Sequence, residues 1–400
     1  MVTLSDYVFE GHIGPFCAGS GFAYVVRKKD DPERTSYALK LSKLDRISDA
    51  KGLDFITHLL NEVRLSRQLQ HPNIMPILST FVDGSNLCSL SPHMDYRSAA
   101  DLISQYFCEG LPEVAICYIM KRILKAVEYL HQNGFIHRNI RAGHIMLSSS
   151  GSVALAGLGH ACVLSNGIAS PRTSVHDFPS TSSRSLLWLA PEILAQNLDG
   201  YNEKSDIYSV GLTCCEMANG NVPYADLPNT LLLLQKLTGP SPCLLDASTV
   251  DAADAMLEGQ TKDSGVGDSD VADLGSSLQH KSKRQDFHRR MFSASFHAVV
   301  NEALTLNPRN RPSARELLTR SFFRKSLMSS FHNKNKAFSL SSMLRGIPPP
   351  KPDQQDGGEG SDDCPHNEPK GLLNQVVGSR HPVITMTSFD ASLEDLVWDF

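Results

Sequence analysis

Five short words in fixed order constrain this chain more than anything else in it. They are Ile136-His137-Arg138-Asn139-Ile140-Arg141-Ala142-Gly143-His144-Ile145-Met146-Leu147, Val153-Ala154-Leu155-Ala156-Gly157-Leu158-Gly159, Leu189-Ala190-Pro191-Glu192, Lys204-Ser205-Asp206-Ile207-Tyr208-Ser209-Val210-Gly211 and Asn307-Pro308-Arg309-Asn310-Arg311-Pro312-Ser313-Ala314. Agreement of five such words by chance, in one order, is implausible.

What precedes them reads differently. Tyr7–Ile13, Phe22–Lys29 and Ser36–Ser42 are rich in β-branched and aromatic residues and are separated by turn formers such as Asp30-Asp31-Pro32. A helical period runs from Leu53 to Leu69, with Phe55, Ile56, Leu59, Leu60 and Val63 on its apolar side, and His71-Pro72-Asn73 stops it. Met75–Val82 and Asn86–Leu90 make a hairpin across Asp83-Gly84. Helical patterning then takes over, most clearly at Glu113–His131. The predicted class is α+β. A small strand-rich unit, 1–92, is followed by a larger helical unit, 93–326, with a hinge near Pro92–Met94.

Two stretches lack any period. Residues 251–286 and the tail 327–400 are polar and rich in Gly, Ser, Asp and Pro, which predicts disorder, because such sequence buries too little apolar surface to offset its ordering entropy. The net charge of −5 suggests neither a nucleic-acid nor a membrane partner. The nine cysteines contain no C-x-x-C pair, and Cys214-Cys215 lie in an apolar run, so packed reduced thiols are expected. Met1–Asp6 shows no secretory signal. These features point to the cytoplasm or nucleus.

The five words resemble those of protein kinases, and the resemblance covers Tyr7 to Phe323. It implies a bilobal fold with a β-rich N-lobe and a helical C-lobe. It also implies a buried contact between Glu192 and Arg311. Lys40, ending a strand, and Glu62, on the first helix, match the pair that aims a cation at nucleotide phosphates. The departures are chemical. A kinase uses a carboxylate at position 139 as base, and an amide at 144 and a carboxylate at 157 to hold Mg²⁺. Here those residues are Asn139, His144 and Gly157. An amide is a very poor proton acceptor, imidazole suits Mg²⁺ badly, and glycine has no ligand at all. No catalytic residue and no metal ligand is expected. ATP binding without Mg²⁺ is expected instead, through Gly14 in an eroded glycine loop, Lys40, Glu62, Met94 at the hinge, Arg141 and His160.

A narrower resemblance is to the STRAD family, the sterile-twenty-related adaptor pseudokinases. It is carried by His137-Arg138, His144-Ile145, Leu155-Ala156-Gly157-Leu158, Val175-His176-Asp177-Phe178-Pro179, Trp188-Leu189, Pro242-Cys243-Leu244-Leu245-Asp246 and the terminal Trp398-Asp399-Phe400. The family ends in W-E-F; Asp399 departs conservatively. The resemblance implies an adaptor that binds and activates the serine/threonine kinase liver kinase B. It also implies that Trp398, Asp399 and Phe400 dock on the helical-repeat scaffold Mo-twenty-five. A weak atypical kinase and a nucleotide-independent scaffold are the alternatives.

Overall fold

The computed structural model describes residues 2–16, 21–44, 50–164, 174–178, 185–249, 287, 290–325 and 338–350. The chain opens with β1 (Tyr7–Phe16), β2 (Gly21–Lys28) and β3 (Ser36–Lys43). Helix α1 (Ala50–Gln68) follows, and then β4 (Ser79–Asp83) and β5 (Asn86–Pro92). The strands form one antiparallel sheet in the order β1-β2-β3-β5-β4. Its own core is small: Tyr7, Val26, Leu39, Cys88 and Leu90. Two strand ends differ from the sequence pattern. The first strand runs past Ile13 to Phe16, because Pro15 lies on the edge strand, where its missing N–H breaks no ladder, and Phe16 still pairs with Gly21. The fourth begins only at Ser79, since Pro76 cannot donate and Met75 N–H is spent on Leu155 O at 2.8 Å.

The helical lobe is built around two helices. Helix α2 (Ala99–Tyr106) leads to α3 (Glu113–Gln132), whose Ile116, Ile119, Met120, Ile123, Leu124, Val127 and Leu130 recur at helical spacing and are all buried. Two short antiparallel pairs follow, β6 (Phe135–Ile136) with β9 (Cys162–Val163) and, within that span, the hairpin of β7 (Ile145–Leu147) and β8 (Val153–Leu155). Next come α4 (Pro191–Leu194), α5 (Lys204–Asn219) and α6 (Asn229–Thr238), and then the helices Ala294–Ala303, Ala314–Leu318, Ser321–Lys325 and Leu340–Leu344. Helix α5 is buried on every side from Ser205 to Asn219, so it is the axis on which the lobe packs. Cys214 and Cys215 are packed thiols, and burial pushes the Cys214 thiol up to about 12. Glu192 and Arg311 meet as a buried bidentate pair, at 2.6 and 2.7 Å, which joins α4 to the late arginine turn.

The polar stretch 251–286 lies outside the described residues. The chain around it is tied together: Asp246, fully buried, accepts hydrogen bonds from Phe292 N and His297 Nε2 at 2.9 and 2.8 Å. The tail expectation needs a correction. Residues 338–350 are folded onto the helical lobe, with Leu340 and Leu344 fully buried and the Phe338 ring set edge-on to Tyr118 at 5.7 Å. Tyr96 OH reaches Leu344 O and Ile347 O at 2.8 and 2.5 Å, and Tyr106 OH donates to Pro348 O. Averaged composition hid this. Phe338, Leu340, Met343, Leu344 and Ile347 carry a short apolar face inside a polar stretch, and a groove on the lobe receives it. Residues 351–400, with Trp398, Asp399 and Phe400, lie outside the described residues. No described helix is long and apolar enough to cross a membrane.

Candidate functional site

The site is organised from beneath by Asp206, in the first turn of α5. Its carboxylate is fully buried and accepts from His137 N and Arg138 N at 2.8 Å each, and it meets His131 Nε2 at 2.9 Å. Burial alone would raise its pKa. The His131 hydrogen bond and the two imidazoles outweigh burial and hold the carboxyl below the usual range. These bonds fix the polar loop, including Arg138 in a left-handed conformation at φ 63°. The imidazole of His137 accepts from Asn139 N at Nδ1, 3.2 Å, and so presents Nε2–H to Ala156 O at 3.1 Å. The loop is thereby tied to the glycine turn.

The three substituted positions then fall into place. Asn139 is buried, and its Oδ1 takes no hydrogen bond from the described residues. His144 Nδ1 lies 2.8 Å from Asn139 O, which can only accept, so Nδ1 carries the proton. Nε2 is then left to accept from Arg141 Nη2 at 3.2 Å. Burial and the Arg141 charge hold this imidazole neutral, well below its ordinary pKa. Its one free lone pair is already engaged. Gly157 sits at φ 87°, and a Cβ there would come within 2.8 Å of His144 Nδ1. The imidazole occupies the space of a side chain at 157. The two departures interlock, and restoring aspartate at 157 alone would meet both steric overlap and backbone strain.

Other parts of the frame are intact. Lys40 Nζ, on β3, pairs with Glu62 Oε1, on α1, at 3.1 Å, both side chains being partly exposed. Asn61, the neighbour of Glu62, donates Nδ2–H to Gly159 O at 3.0 Å and to Ala161 O at 2.9 Å. Gly159 permits the approach: a Cβ there would lie 2.8 Å from His58 O. Helix α1 is therefore pinned inward at His58, Asn61 and Glu62, little more than one turn of the helix. Sequence reasoning missed Asn61, because one asparagine on an amphipathic helix looks like a solvated residue and nothing local marks its partner.

Arg141 lies beside His144, with its guanidinium 5.4 Å from the Trp188 ring. Beneath them Glu216 accepts from Trp188 Nε1 at 2.8 Å and Ala142 N at 3.1 Å; burial raises its carboxyl to about 7, partly offset by those bonds and Arg141. Arg141 and, more weakly, Lys40 both act electrostatically to lower the His144 pKa. Met94 is buried at the hinge, its carbonyl accepting from Arg97 N at 2.8 Å. Gly14 has open space where a side chain would be; residues 17–20 of the glycine loop lie outside the described ones. His160, expected to meet a nucleotide phosphate, is packed against helix α1. Its ring lies 4.2 Å from His58 of α1, and burial with the His58 and Arg138 charges lowers its pKa to about 4. It carries no charge at neutral pH.

A pH dependence follows. His137, His144 and His160 all have folded-state pKa values below the ordinary 6.5, so the stability they contribute is present above pH 6.5 and lost as pH falls through their folded values. For His160 that window is about 6.5 to 4, worth roughly 2–3 kcal/mol at 1.36 kcal/mol per unit after allowance for solvent. Glu216 runs the other way: with its pKa raised to about 7, it favours the fold at low pH and loses that contribution as pH rises from 4.5 through 7. Denaturant titrations of His160→Gln from pH 4.5 to 7.5 should therefore show a shallower acid decline than the unaltered chain. Parallel curves would contradict the assignment of His160 as a neutral, packed residue.

Comparison with known proteins agrees with this geometry. The protein kinase domain model matches residues 18–323. STE20-related kinase adapter protein alpha of Rattus norvegicus is 40% identical over 304 residues, covering 75% of each chain. The human alpha protein is 40% identical, covering 75% of this chain and 68% of its own. This chain belongs to the STE20-related kinase adapter family. The human beta member is 38% identical over 320 residues, 80% of this chain and 73% of its own. As a member of the STE20-related kinase adapter family, the chain carries a protein kinase domain and its relatives are named adapter proteins.

Proposed function

We propose that this chain is a catalytically silent adaptor that binds ATP without Mg²⁺. In its closed form it engages and activates a client serine/threonine kinase of the liver kinase B type, together with the Mo-twenty-five scaffold, in the cytoplasm and nucleus. The observation that carries the reading is the contrast within one cleft. The Lys40–Glu62 pair is kept, while His144 fills the space beside Gly157. Loss of a general base alone costs about 10² to 10⁴ in rate, and no carboxylate remains at positions 139, 144 or 157 to clamp a metal.

The donor set fits a nucleotide bound by cations alone. Lys40 and Arg141 would meet phosphate oxygens, the hinge backbone at Met94 would meet the base, and the open backbone at Gly14 would lie over the phosphates. Bound ATP would supply a charge bridge between the lobes. The Asn61 bonds favour a second reading, in which the closed form is already built and nucleotide adds little. Reconstitution decides between them. Client activity should rise when this chain and the scaffold are added, and Lys40→Met should reduce that rise if nucleotide matters and leave it unchanged if it does not. No rise at all would sink the adaptor reading.

The terminal anchor has its own test. Trp398 and Phe400 stand two apart, so an extended backbone projects both rings to one side, and the charge of Asp399 favours a basic groove. Hot-spot aromatics typically cost about 2 kcal/mol or more when truncated. Trp398→Ala with Phe400→Ala should weaken scaffold binding at least about thirtyfold, measured by calorimetry, with little change in melting temperature. Normal binding with a melting point several degrees lower would mean that the rings pack on their own chain.

A further inference from the structure

A second cluster lies between the polar loop and the segment before Pro191, and it involves this chain alone. In active kinases the arginine of this loop frame is satisfied by a phosphorylated residue of the activation segment, and that new pairing orders the segment. Here Arg138 is already engaged through Nε and Nη1. Its Nε donates to His160 O at 2.5 Å. Its Nη1 reaches Asp177 O at 3.1 Å, Asp177 Oδ2 at 3.0 Å and Tyr201 OH at 3.0 Å. The Tyr201 hydroxyl in turn donates to Asp177 O at 2.5 Å. Val175 and Tyr201 exchange backbone hydrogen bonds at 2.7 and 3.0 Å, and Phe178 packs its ring 5.7 Å from that of Tyr201.

We propose that Arg138, Asp177 and Tyr201 form a latch that holds residues 174–178 against the loop before α5 with no phosphorylation of this chain. The parts are unequal. The Arg138 side chain is 8% exposed and the Asp177 carboxylate 69% exposed. An exposed ion pair contributes little, whereas a hydrogen bond from a largely buried guanidinium to a carbonyl contributes more. The Asp177 backbone carbonyl, held by both Arg138 and the Tyr201 phenol, is thus the centre of the latch, and the carboxylate is its outer flank. Tyr201 is a positioning residue. Burial raises its phenol, which keeps the donating proton in place. The latch goes beyond the adaptor reading, because it operates whether or not a client or nucleotide binds.

Hydrogen exchange of the full chain, read by mass spectrometry at the Val175 and Tyr201 amides, tests it. Phosphatase treatment should leave exchange unchanged. Tyr201→Phe keeps the ring and removes only the hydroxyl, and should speed exchange at both amides about tenfold. Asp177→Asn keeps the carbonyl and should speed it less than about threefold, given about 1.4 kcal/mol per factor of ten. Faster exchange after phosphatase alone, or exchange in Tyr201→Phe equal to that of the unaltered chain, would overturn the proposal. If Tyr201→Phe fails to fold, the phosphatase arm on the unaltered chain decides by itself.

Discussion

Replacing Leu340 and Leu344 together by alanine in the full chain will destabilise the docked segment by at least about 4 kcal/mol, since each buried Leu→Ala costs about 2–5 kcal/mol, and will lower the unfolding free energy of the chain by up to that docking energy. Both side chains are fully buried against the helical lobe, so their removal leaves voids that short, anchored neighbours cannot fill. The loss is capped by undocking: once the segment's own docking energy is spent, it lifts off and the rest of the lobe stays folded. The experiment therefore pairs melting with limited proteolysis. Undocking should expose 338–350 to cleavage before the lobe melts, and Tyr96, whose hydroxyl meets Leu344 O and Ile347 O just beyond the hinge, should lose protection with it. An unchanged melting point with unchanged cleavage would show that the segment is not part of the folded lobe.

Glu192→Ala will cost about 3–5 kcal/mol, because it strands the Arg311 guanidinium as a buried unpaired charge. Arg311 is 2% exposed and spends its remaining donors on Thr305 O, Lys204 O and Leu306 O, so no water-facing escape is open to it. The double replacement Glu192→Ala with Arg311→Met should recover much of the loss, since replacing a buried ion pair by apolar groups is often close to neutral. Urea titrations of both single variants and the pair give the coupling energy. A Glu192→Ala variant within about 0.5 kcal/mol of the unaltered chain would contradict the buried bidentate contact.

The bilobal fold was legible because its signals are local and redundant. Strand alternation, the helical period of α3 and five words in order all point one way, and α5 announces itself as a buried helix through its lack of a polar face. The pairing of Lys40 with Glu62 was legible only through the kinase resemblance, since a strand lysine and a helix carboxylate 22 residues on could equally be unrelated surface residues. What stayed hidden depends on partners far apart in sequence. His144 and Gly157 look like two independent losses until the glycine turn is seen against the imidazole. His160 reads as a cation on a loop until His58 is found beneath its ring. Asn61, Tyr201 and the face of 338–350 each act through partners far away in sequence, and a lone polar residue or five apolar residues in a polar stretch carry no periodic signal.

The central claim is that this cleft keeps its closed shape for nucleotide and partner while its chemistry is gone. The most direct measurement is ATP titration of the purified full chain by thermal shift, in EDTA and in excess Mg²⁺, with transfer of the γ-phosphate followed in the same samples. The account predicts equal stabilisation in both conditions, about 2.7 kcal/mol at a hundredfold excess over Kd, with no transfer above background. Stabilisation seen only with Mg²⁺, or transfer that Lys40→Met abolishes, would contradict it.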